Sequence, residues 1–200
     1  MEGNKLNQKL KTLKIKDLKS LNENITIFVK FMDAKKEEIF TRAYELGRKY
    51  EKECTGCAQT AVAAIFESLN IWSEDVFKAA SGLADGLGLT GDGSCGALIG
   101  ASMVIGYLFG RKKEVFGDMY KPIKSYALVK ELHDKYVEKY GSCRCFDVQN
   151  SLMGRTYNLW NEDEKIEAFH TGMVNYCSEI VGTVAKMAIK IILDHGFNPK

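Results

Sequence analysis

Proline is nearly absent from this chain: 200 residues contain only Pro122 and Pro199. Proline removes a backbone donor and clashes with the preceding turn, so the long intervals on either side of Pro122 are free to run as helices. Apolar residues recur in those intervals near the 3.6-residue period. Ile39, Phe40, Ala43, Tyr44, Leu46 and Gly47 predict a helix from Lys35 to about Cys54. Ala58, Ala61, Val62, Ile65, Phe66 and Leu69 predict a second from Cys57 to Leu69. Ser73 is a good N-cap with Glu74 and Asp75 behind it, which predicts a short helix to about Ala80. Ala97 to Leu108 reads as a buried helix, with Gly96, Gly100 and Gly106 as points of close approach. Lys124 to Tyr140, capped by Gly141, Phe146 to Met153, and Gly172 to Asp194 complete the series, with a loop carrying Tyr157 and Trp160 before the last. No strand pattern or internal repeat stands out. The expected fold class is all-α, a compact multi-helix bundle with cysteines at helix ends.

Five glycines fall within the 13 residues 82–94. That density marks a glycine-rich loop whose backbone turns sharply or lies close against a neighbour. The first 20 residues hold six lysines (Lys5, Lys9, Lys11, Lys14, Lys16 and Lys19) against Glu2 and Asp17. The chain therefore reads as a lysine-rich N-terminal extension, 1–34, followed by a helical cysteine-rich domain, 35–200. Over the whole chain 28 basic residues against 26 acidic ones give a net charge of +2, which argues against a nucleic-acid partner. A domain of this length can bury roughly 70% of the surface its unfolded chain exposes, so its core does not need disulfides. No leader-like apolar run opens the chain, and the apolar stretch Ala97 to Phe109 is too short to cross a bilayer. The expected location is cytoplasmic, with no membrane span.

In a reducing compartment, six cysteines point to metal binding or thiol redox chemistry. Cys54, Cys57, Cys95, Cys143 and Cys145 lie at or beside predicted helix ends, and Cys177 lies near the start of the last helix. Unpaired backbone N–H groups and the positive dipole end at a helix N-terminus are expected to lower thiol pKa values there. Cys54-Thr55-Gly56-Cys57 has a spacing shared by redox dithiols and metal knuckles, without the βαβ setting of a thioredoxin-like motif. Ala58 and Phe146 stand where a histidine would follow in a covalent haem site, so none is expected. The ferredoxin cysteine run is absent and none of the three histidines has zinc-finger spacing, so any metal site is assembled from distant segments. Gly86 to Gly93 lacks the Gly-Lys-Ser/Thr ending of a phosphate loop and follows no strand. His133, His170 and His195 read as solvated or capping residues, and Trp72, Trp160, Tyr136 and Tyr140 as packing residues.

Four segments together resemble the C_GCAxxG_C_C family of redox-active proteins, over about Ile39 to Leu193. They are Gly56-Cys57-Ala58-Gln59, Cys95-Gly96-Ala97-Leu98-Ile99-Gly100, Gly141-Ser142 leading to Cys145, and Cys177 near the chain end. The Cys-Gly-Ala-x-x-Gly segment is the specific part. The resemblance puts the four characteristic cysteines on Cys57, Cys95, Cys145 and Cys177, and leaves Cys54 and Cys143 as extras. It implies redox activity and association with oxidoreductase or transporter genes. A related domain in split-Soret cytochromes carries haems and an iron-sulfur centre, of which this chain can keep only the non-haem part.

The leading expectation is a redox-active electron-transfer protein, an accessory or component of oxidoreductase chemistry. Cys57, Cys95, Cys145 and Cys177 would bind an iron-sulfur cluster, 2Fe-2S or 4Fe-4S. Gly56, Gly91, Gly93 and Gly96 would bring backbone N–H groups close to it, and Cys54 and Cys143 would serve as additional ligands or redox thiols. A metal-free thiol-disulfide redox protein or sensor is the first alternative, and a zinc-stabilised helical interaction module the second. No acid, base or nucleophile constellation apart from the cysteines points to substrate turnover. A redox partner protein is expected, and the glycine-studded helix with the N-terminal arm suggests a homo-oligomer.

Overall fold

The computed structural model describes residues 33–199. The chain divides into two units, residues 1–38 and 39–200, and the site lies in the second. The expected extension over residues 1–34 falls almost wholly outside the described residues. The described residues are helical at 33–54 (α1). There follow α2 (Cys57–Ser68), α3 (Glu74–Ala79), α4 (Gly96–Phe109), α5 (Ile123–Tyr140), α6 (Cys145–Met153), α7 (Glu162–His170) and α8 (Met173–Asp194). Single 3-10 turns occur at Ser81–Leu83 and Lys113–Val115. Among the described residues the only β pairing is an isolated antiparallel bridge between Ser94 and Arg144. The fold is all-α, as the periodicity predicts.

The core follows from side-chain size. Ala58, Ala61, Val62, Ala64, Ile65 and Phe66 of α2 are fully buried, and α2 packs against both α4 and α8. On α4, Ala97, Ala101, Val104 and Ile105 are equally inaccessible. Amphipathic α8 contributes Val181, Val184, Ala185, Ala188, Ile189 and Ile192, and α5 closes the group with Leu128, Leu132 and Tyr136. Small residues set how closely the helices approach. A Cβ on Gly100 would lie 2.2 Å from the Ala58 carbonyl oxygen, and one on Gly182 would lie 2.6 Å from that of Tyr44. Gly106, expected as a third close-approach point of α4, instead has nothing within 4 Å of its Cβ position.

Helix ends obey local chemistry. Ser73 caps α3 by accepting from the Val76 N–H, and Gly141 ends α5 in the left-handed region at φ 80°. The loop expected around Tyr157 and Trp160 is shorter than predicted, because α7 follows it. Asn161 accepts from the Glu164 N–H at 3.0 Å, and Glu162, Asp163 and Glu164 occupy the positive first turn. Those capping signals are in the sequence, but only Ala168 of α7 is buried, so the apolar period is weak. No helix among the described residues is long and apolar enough to cross a membrane.

The glycine contacts generate a paired test. Gly100→Ala overpacks the α2–α4 crossing and is expected to cost about 1–3 kcal/mol. Gly106→Ala adds a methyl in open space within a helix and is expected to stabilise by about 0.5–1 kcal/mol. Urea denaturation of the two variants beside the parent chain reads both signs.

Candidate functional site

Two backbone devices bring distant cysteines to one place. Thr55 and Gly56, at φ 58° and 84°, reverse the chain between α1 and α2 and make Cys57 the first residue of α2. A Cβ on Gly56 would meet nothing nearer than Gln59 Oε1 at 4.0 Å, so Gly56 serves by its left-handed backbone and not by close approach. The second device is a short ladder between the end of the glycine-rich loop and the start of α6. The Cys95 N–H donates to the Cys143 carbonyl at 2.8 Å, the Cys145 N–H to Gly93 at 2.9 Å, and the Phe146 N–H to Gly91 at 2.9 Å. Cys95 is thereby the residue before α4, Cys145 the first residue of α6, and the two chain segments lie side by side.

Cys57, Cys95, Cys145 and Cys177 all line one small cavity, together with Asp85, Gln149, Ala97, Val148, Ile180 and Val181. Cys95 and Cys145 are buried residues; Cys57 and Cys177 are half-buried, but their thiols are desolvated as well. Among the described residues that line the cavity there is no Lys, Arg or His. Cys54 is exposed and Cys143 half-buried, and neither lines it. Cys143 instead packs at the edge of the core, with the Ser94 hydroxyl 3.8 Å from its sulfur. All six cysteines are free thiols. Among the described residues, no group of three or more His, Cys, Asp or Glu side chains is arranged to hold a metal ion.

The expected lowering of thiol pKa at helix N-termini is not what the site produces. Burial pushes all four cavity thiols up, Cys57 and Cys177 well above the ordinary value. Neighbouring sulfurs and carboxylates add to the effect. The dipole of a helix end contributes about 0.3–1 kcal/mol, whereas burying an unpaired charge costs several kcal/mol. Desolvation therefore wins, and without a cation the thiols are neutral.

Polar groups reach three of the sulfurs. The Asp85 backbone N–H donates to Cys57 Sγ at 3.4 Å, and Gln149 Nε2 to Cys145 Sγ at 3.3 Å. The Tyr136 hydroxyl faces Cys95 without completing a well-formed hydrogen bond. Cys145 in turn donates to Asp85 Oδ1 at 3.1 Å. Behind this group Glu51, buried on α1, accepts from the Thr60 hydroxyl at 2.7 Å. Burial, opposed by that hydrogen bond and reinforced by the Asp85 charge, pushes the Glu51 carboxyl up to about 7.

The glycines divide by role. A Cβ on Gly96 would meet Cys57 Sγ at 2.3 Å, so Gly96 does bring backbone against a site sulfur. Gly91 makes room for the Phe146 ring and Gly93 for the Gly86 carbonyl, so these two shape the loop. His170 ends α7 away from the cavity lining, His133 pairs with Asp134, and His195 with Glu131. Trp72 packs on Phe66 and Phe77 as expected, while exposed Trp160 donates its indole N–H to the Gly88 carbonyl at 3.0 Å. Asp85, Gln149, Glu51 and the hydroxyl of Tyr136 are site residues that sequence patterns did not single out. Gln149 had a signal, lying four residues after Cys145 on the same helix face.

The family model described as "Putative redox-active protein (C_GCAxxG_C_C)" matches residues 55–191. No curated protein and no solved structure matches the chain.

Two measurements follow from the burial pattern. In the metal-free folded chain, iodoacetamide is expected to label exposed Cys54 first, with the four cavity cysteines reacting only after denaturation; mass spectrometry locates the adducts. Folded Glu51 holds its proton up to about pH 7, against 4.5 for the ordinary group, so its contribution to stability falls as pH rises through that window. Glu51→Gln is expected to remove a decline of order 2 kcal/mol, read by urea denaturation of the metal-free chain at about pH 5 and about pH 8.

Proposed function

Because the chain belongs to the C_GCAxxG_C_C family of redox-active proteins, we propose that it is an electron-transfer protein holding an iron-sulfur cluster on Cys57, Cys95, Cys145 and Cys177. The observation that carries the reading is the donor set. Four desolvated thiols from four separate elements line one cavity, with no cationic side chain among the described residues of its lining. Cys57, Cys95, Cys145 and Cys177 would hold such a group as thiolates, its positive charge offsetting the cost of ionising buried sulfur. When bound, the cluster supplies one-electron transfer at a potential set by its charge, its hydrogen bonds and its exposure to solvent.

The chain's own part is to orient the sulfurs, exclude water and place donors against them. With a cluster bound, the Asp85 N–H on Cys57 and the Gln149 amide on Cys145 would stabilise electron density on sulfur and raise the reduction potential. A single tetrahedral ion would require its thiolates at roughly 3.8 Å from one another, given metal–sulfur bonds near 2.3 Å. A cluster distributes its cysteines over several irons and accepts wider spacing. Thiol-disulfide exchange is less well served, because neutral, desolvated thiols are poor nucleophiles.

Anaerobic purification, or reconstitution with iron and sulfide, is expected to give a coloured protein with iron and inorganic sulfide in equal amounts and a paramagnetic signal in one oxidation state. Cys57→Ala is expected to lower iron content about tenfold or more, whereas Cys54→Ala leaves it unchanged. A parent chain that stays colourless and iron-free after reconstitution would falsify the proposal.

A further inference from the structure

The cavity is not lined by sulfur alone. Asp85 and Gln149 line it too, at 6% and 3% exposure, and each has one oxygen with no partner: Asp85 Oδ2 and Gln149 Oε1. The other Asp85 oxygen is fully engaged, accepting from Cys145 Sγ at 3.1 Å and from Gln149 Nε2 at 2.6 Å. The same residue's backbone N–H reaches Cys57 Sγ, so Asp85 touches two of the four cysteines.

A buried carboxyl oxygen without a partner costs free energy, and a bound cation offsets that cost. Its backbone sharpens the point. Residues 85–89 all have positive φ, including the non-glycine Asp85, Leu87 and Leu89. Each L-residue in that region costs roughly 1–2 kcal/mol, and such strain survives where the surroundings over-determine it. Cys145 Sγ and Asp85 Oδ1 lie 3.1 Å apart, so the thiol and the carboxyl present their donors at one corner of the cavity.

We infer that Asp85 is a fifth protein donor of this centre, an oxygen ligand sharing with Cys145 the corner of the cavity that both line. The inference rests on the cluster reading given under Proposed function. It would make the donor set chemically lopsided, with Cys57, Cys95 and Cys177 acting alone and Cys145 acting beside an oxygen donor. A mixed corner retains its metal when either donor is removed.

The test uses the full chain reconstituted anaerobically with iron and sulfide, as the parent and as Asp85→Asn, Cys145→Ala, the double variant and Cys57→Ala. Asparagine tolerates the same left-handed backbone and still accepts from Gln149, so Asp85→Asn is the substitution least disturbing to the loop. Far-ultraviolet circular dichroism confirms that each variant is folded. Asp85→Asn is expected to keep most of its iron while the Mössbauer spectrum shows one iron site altered. Cys145→Ala keeps most of its iron, the double variant loses it, and Cys57→Ala loses about tenfold or more by itself. A Mössbauer spectrum of Asp85→Asn identical to the parent's, or a loss in Cys145→Ala as deep as in Cys57→Ala, overturns the assignment of Asp85. A parent chain that takes up no iron overturns the cluster reading first and the Asp85 assignment with it.

Discussion

Three backbone hydrogen bonds hold the site together: Cys95 to Cys143, Cys145 to Gly93, and Phe146 to Gly91. They join the end of the glycine-rich loop to the turn before α6, and so set the N-terminal ends of α4 and α6 beside one another. Everything near them is fitted to that junction. Gly91 leaves room for the Phe146 ring, and Gly86 and Gly93 pack backbone to backbone. Outside, Arg144 bridges Asp92 and Asp147, but its side chain is half-exposed and such pairs add little. The ladder itself is the constraint, because it turns two separate helix starts into one wall of a cavity.

The other walls come from the core. Cys57 rides on α2, which the α2–α4 crossing at Gly100 and Ala58 presses against α4. Cys177 rides on α8, packed on both of those helices. Rigid, close-packed helices bring four sulfurs to one place without any two needing to be near in sequence. The same packing strips water from the thiols, and this is why their acidity is governed by burial and not by the helix dipole. A buried neutral thiol set is a poor nucleophile by itself.

The fold was legible because its signals are local. The periods in α2, α5 and α8 are strong and α4 is a nearly continuous apolar run, while Ser73 and Gly141 mark the start of α3 and the end of α5 by chemistry that acts within four residues. Weakly periodic α7 was not legible, since its acidic first turn and Asn161 cap outweigh an apolar stripe of one buried residue. Gly106 read as a contact point by analogy with Gly100, but whether a glycine faces a neighbour depends on which way its helix is turned. The candidate site divides similarly. Cysteines announce themselves by residue type, while Glu51 and Asp85 look like ordinary acids until burial is known.

From residue types and spacing come the all-helical fold class and the placing of cysteines at helix ends, and the resemblance to the family adds the set of four cysteines singled out from six. These depend on interactions between neighbours in the chain or on a recognisable string of residues. Tertiary structure alone decided that those four thiols line one cavity, that they are neutral in the absence of metal, and that Asp85 and Gln149 stand among them. Each of those facts is a matter of desolvation and of contact between segments far apart in the chain. No local pattern encodes either one, because the energy of a buried group is set by what surrounds it in space.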